Sequence, residues 1–112
     1  MNDRARTARQ IIKARTRTNR AAAKIHRQGV GTLATHCIAA GLGPREARTV
    51  ANSLRKNAAK AHVTGTPSIS YTHGHARQCT RYTPREVAAI AVVYRPRRAD
   101  YKRCAARLAL AA

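Results

Sequence analysis

Apolar residues recur at helical spacing in four stretches between residues 30 and 110, each set off by glycine or proline. Val30, Leu33, Ala34, Cys37, Ile38 and Gly41 fall at i, i+3, i+4, i+7, i+8 and i+11, one continuous helical face. Gly41-Leu42-Gly43 stops that helix. Pro44 then suits a first helical position, and Glu46 complements the positive end of the next helix. Ala47, Val50, Ala51, Leu54, Ala58 and Ala61 form its inward face, with Arg45, Arg48, Thr49, Asn52, Arg55, Lys56 and Lys60 opposite. Thr83-Pro84-Arg85-Glu86 has the spacing of a capping box and opens a third helix with a stripe of Val87, Ile90, Ala91 and Tyr94. Pro96 ends it, and a basic helix from about Arg98 to Leu110 packs through Tyr101, Cys104, Ala105 and Leu108. The Pro-Arg-Glu echo at 44–46 and 84–86 is accounted for by shared helix-start chemistry.

Between these stretches the grammar changes. Pro67, the β-rich Ser68-Ile69-Ser70-Tyr71-Thr72, the tight His73-Gly74 pair and the run His75 to Tyr82 predict a hairpin. Alternation is clear at Ile69 and Tyr71 and weak in the return strand. Residues 1–28 are rich in helix formers and strongly basic, but Arg15 to Arg20 interrupts the stripe of Ile11, Ala22 and Ile25. That pattern predicts a helix with a narrow seam, an arm that orders on nucleic acid, or a solvated tail.

Charge sharpens the picture. Lysine and arginine number 23 against four acids, a net charge of +19 on 112 residues. Self-repulsion opposes the compact state, so this excess calls for a polyanionic partner, and nucleic acid is the densest in a cell. Arginine makes up 18 of the 23 cations, which suits bidentate contact with phosphates and guanine edges. All four acids (Asp3, Glu46, Glu86, Asp100) fall near predicted helix starts. With no Phe or Trp, the core is expected from Ala, Val, Ile and Leu in packed helices. No apolar run approaches the ~18 residues that span a membrane, and the basic N-terminus lacks an apolar signal core. The expected compartment is the cytoplasm, at the nucleoid, with no membrane partner.

Residues 33–54 resemble the helix-turn-helix of bacterial and phage DNA-binding regulators. The likeness rests on Leu33-Ala34, a small residue at Cys37, Gly41 followed by apolar Leu42, and Ala47 and Val50 at inward positions. Gly43-Pro44 departs from the usual Ser or Thr start of the second helix. The resemblance implies that residues 44–60 are a recognition helix. Arg45, Arg48, Thr49 and Asn52 would then read base edges, while Arg55, Lys56 and Lys60 hold phosphates. The hairpin that follows resembles the wing of winged-helix domains, with His73, Gly74 and His75 at its tip and Arg77 and Arg81 near the backbone or minor groove. Arg15, Arg17 and Arg20 would add phosphate contacts from the N-terminal segment. The plain alternatives are a solvated basic helix and a surface loop.

His73, His75 and Cys79 could supply zinc ligands, with His62, His36 or Cys37 as a fourth, but no CxxC pair is present. Histidines contacting nucleic acid or solvent are the stronger expectation, and no cofactor is implied. The three cysteines have no disulfide-framework spacing. Catalysis is poorly supported, because the acids sit at helix starts and His36 and Cys37, adjacent on a helix, point apart.

The expected molecule is therefore mostly α: a basic helix or arm over residues 1–28, then one winged-helix-like domain over 29–112. That domain has a helix-turn-helix core, a β-hairpin wing and a basic C-terminal helix. Its expected role is that of a non-enzymatic duplex-DNA-binding protein, a transcriptional regulator or accessory factor of plasmid or phage type that could act as a homodimer. The competing class is a structural RNA-binding protein, such as a ribosomal or ribonucleoprotein component, threading its basic ends into folded RNA.

Overall fold

The computed structural model describes residues 2–111. It is mostly helical, with helices α1 (Asp3–Gln28), α2 (Leu33–Ala39) and α3 (Pro44–Ala58), an antiparallel hairpin of β1 (Thr66–Thr72) and β2 (His75–Arg81), then α4 (Pro84–Val93) and α5 (Ala99–Leu110). No helix is long and apolar enough to cross a membrane among the described residues.

The punctuation residues act as expected. Thr32 caps α2 by accepting from Thr35 N at 3.2 Å. At α4 the capping box closes in both directions, Glu86 N to Thr83 Oγ1 at 3.2 Å and Thr83 N to Glu86 Oε1 at 2.9 Å. Pro44 sits in the first turn of α3 behind Gly43, which supplies no side-chain cap. Gly41, between α2 and α3, adopts φ 106, a left-handed geometry that favours glycine. Asp3, Glu46, Glu86 and Asp100 each lie in the first turn of a helix, offsetting its dipole.

Helix α2 is shorter than its apolar pattern. Val30 precedes it because the chain at Gly31 is extended and pairs with Tyr82 just beyond β2, and Gly41 follows it in a left-handed turn. Gly31 N donates to Tyr82 O at 3.0 Å and Tyr82 N to Gly31 O at 2.8 Å. Helix α3 stops at Ala58, so Lys60 lies in the turn that follows rather than on the helix.

The core is built by α2 to α5. Leu54, Ile90, Val50, Val87, Cys37 and Cys104 are fully buried, and Tyr82 and Tyr94 close its rim. Helix α1 lies outside that core: Ala21 is its one buried residue, and it packs against α2. Ile11 and Ile12 remain exposed farther along it.

Candidate nucleic-acid interface

The outward row of α3 follows from its buried one. Ala47, Val50, Ala51, Leu54 and Ala58 turn inward. At about 100° per residue, Arg45, Arg48, Thr49, Asn52, Arg55 and Lys56 then fall within an arc of about 120° on the opposite side. All six are exposed. The row rises about 17 Å along the helix, and no acid falls in it, since Glu46 sits at its flank beside Gly43.

The side chains in this row are partly organised already. Arg55 Nη1 donates to Asn52 Oδ1 at 2.9 Å, which orients the amide. A second lone pair on Oδ1 and the Nδ2 donors remain for the paired acceptor and donor of an adenine edge. Thr49 Oγ1 donates to Arg45 O at 3.3 Å within the helix. Arg55 also lines a cleft with Thr32 to Ala34 at the start of α2 and Gln78 to Thr80 of β2, so α3 and the hairpin share a border.

Pairing in the hairpin places cross-strand partners on one face: Thr66 with Arg81, Ser68 with Cys79 and Ser70 with Arg77. Ser68, Ser70, Cys79 and Arg81 are half-buried, so this face turns toward the helices. The predicted alternation of Ile69 and Tyr71 is present, but their face is the outward one, with Tyr71 78% exposed. The tip is His73-Gly74, with φ 52 and 77, a two-residue turn of the kind that matches strand twist. His73, Gly74, His75 and Arg77 are exposed.

The candidate zinc ligands are not brought together. His73 lies in the turn, and His75 and Cys79 are four residues apart on an extended strand, about 13 Å by its rise. Among the described residues no group of three or more His, Cys, Asp or Glu side chains could hold a metal ion. His36 and Cys37 are each committed elsewhere. Buried His36 donates from Nε2 to Tyr82 O at 2.8 Å, and the Cys37 thiol meets that of Cys104 in the core. Contact with Cys104 and burial push the Cys37 thiol far up, leaving it inert as a nucleophile.

Two cationic features escape an apolar-periodicity reading. Arg95 follows α4 and lines a groove with Ser53, Lys56, Asn57, Lys60 and Tyr94, so Lys60 has company although it has left the helix. On α1, Arg6, Arg9, Lys13, Arg17, Arg20 and Lys24 follow at intervals of three or four residues, with Arg27 closing the row. These seven fall within an arc of about 80° and extend about 32 Å, and all are exposed. Arg15 does not join Arg17 and Arg20, because it points about 160° away from the centre of that row. Arg98 is engaged locally, bound to Asp100 at 2.7 Å and lying 4.4 Å over the Tyr101 ring. Comparison with known proteins finds no matching family model, no matching curated protein and no matching solved structure.

Proposed function

We propose that the chain is a duplex-DNA-binding protein of regulatory or accessory type, and that α3 is its recognition helix. The observation that carries this reading is the exposed row Arg45, Arg48, Thr49 and Asn52, backed by the fully buried Val50 and Leu54. A rigid inward face fixes an outward face of base-pairing residue types, and the N-terminal half of the helix is the part that enters a major groove. The order of a short helix, a turn at Gly41, a longer helix and a hairpin also supports the winged-helix reading. In it, Arg77 and Arg81 lie on the hairpin face turned toward the helices, and Lys56, Lys60 and Arg95 take phosphates beyond the base-reading row. The chain carries no catalytic role in this account.

A structural RNA-binding role is the second reading, favoured by the 26-residue basic α1, which contributes nothing to the main core. Competition among duplex DNA, structured RNA and single strands at fixed salt separates the two. Duplex DNA is expected to compete best, whereas preferential displacement by structured RNA would replace the first reading with the second.

A further inference from the structure

We propose that the cationic row of α1 is a second nucleic-acid-binding surface, one that holds a stretch of phosphodiester backbone without reading bases. The proposal rests on the reading of the chain as a nucleic-acid binder and adds a surface separate from α3. The row from Arg6 to Arg27 places a cation every 5 Å or so over about 32 Å, close to the length of one duplex turn of about 34 Å. Arginine predominates in it, and arginine grips phosphate with two donors.

Three observations point the same way. The row has no internal counter-charge: the only acid of α1 is Asp3, ahead of the first row residue, and the one salt bridge among the described residues is Arg98–Asp100. Like charges three and four residues apart oppose the bare helix, so an external polyanion is what the row lacks. Helix α1 packs on α2 rather than on α3 or the hairpin, which makes its row an independent surface. The size of the charge matters too. A footprint neutralising about 6–10 phosphates accounts for only part of the excess, and the whole chain carries +19.

The test is the full-length chain carrying Arg9→Gln, Lys13→Gln, Arg17→Gln and Arg20→Gln. It is titrated with salt on its preferred duplex, on random duplex DNA and on structured RNA. Four lost phosphate contacts should lower the slope of log affinity against log salt by about 3–4 on each duplex DNA, while the ratio of preferred to random binding stays unchanged. An equal fall on RNA supports recognition of the backbone itself. A fall of less than one overturns the proposal. All four side chains are exposed, so the melting midpoint should hold or rise, and the double variant Arg9→Gln, Arg17→Gln should lose about half as much slope. An unchanged slope together with loss of sequence preference in Arg48→Ala removes the α1 surface alone. A lowered slope with preference intact in Arg48→Ala supports α1 and removes the α3 reading. A wild-type chain that binds no nucleic acid overturns both.

Discussion

His36 Nε2 donates to the carbonyl oxygen of Tyr82 across 2.8 Å and 46 positions of sequence, and the bond is buried. It lies beside the two-way pairing of Gly31 with Tyr82, so three hydrogen bonds tie the base of the hairpin down, one to α2 and two to the segment just before it. The hairpin's position relative to α3 depends on this joint, since β1 and β2 otherwise pair chiefly with each other.

The joint predicts a pH dependence. Burial lowers the His36 pKa from its ordinary 6.5, against the raising effect of carbonyls at Tyr82 and Gly31. The unfolded chain therefore takes up the proton first. The His36 contribution is fully present above about pH 6.5 and is lost as pH falls through the lowered folded-state value. Urea midpoints should drop between pH 7.5 and pH 5, and the drop should shrink in His36→Gln. The apolar replacement His36→Leu should cost about 0.5–1.5 kcal/mol at pH 7.5, because the Tyr82 carbonyl then keeps only its Gly31 N–H donor. An equal acid-induced drop in wild type and variant would assign it to other groups.

Thiol chemistry reports on the core. Cys37 and Cys104 are buried against each other, while Cys79 is half-exposed on β2. A thiol reagent should modify Cys79 in the folded chain and reach the other two only in denaturant. Thermal unfolding should be unchanged by a strong chelator, since the core is made of helical apolar faces. Loss of the transition on chelation, restored by zinc, would reverse that account.

Salt dependence should be steep. Neutralising about 6–10 phosphates at the α3 surface alone releases enough counterions to weaken duplex binding about 10³–10⁵-fold between 50 and 200 mM salt, and contacts along α1 steepen the fall further. A nearly flat titration by fluorescence anisotropy would remove nucleic acid as the main partner.

Much of this architecture is legible in the chain because its signals are local. Gly41, Pro44, the Thr83–Glu86 box and His73-Gly74 each act within a few residues, and the structure puts helix and strand boundaries beside them. The face of α3 is legible for the same reason, since burying Val50 and Leu54 determines where Arg48 and Asn52 point. The joint at Gly31, His36 and Tyr82 is not legible. It joins segments far apart in sequence, and its effect is to pull Val30 out of a pattern that otherwise reads as helix. Lys60 falls two residues beyond the end of α3 because alanines continue the apolar spacing past Ala58. The α1 row was present as a spacing of charges. Arg4 and Arg15 on the other side of the helix obscure it until the helix is continuous from Asp3 to Gln28.

A recognition helix reads bases through the exposed row of α3 and does more than attract phosphate. Its most direct test compares Arg48→Ala with Lys60→Ala on a preferred duplex, selected from a random pool, and on unselected DNA. Arg48→Ala should cost about 1–3 kcal/mol on the preferred site and much less elsewhere, with Asn52→Ala behaving alike. Lys60→Ala should weaken both duplexes similarly and reduce the salt slope by about one. Equal losses on every sequence for both variants would contradict the account and make α3 a basic surface helix.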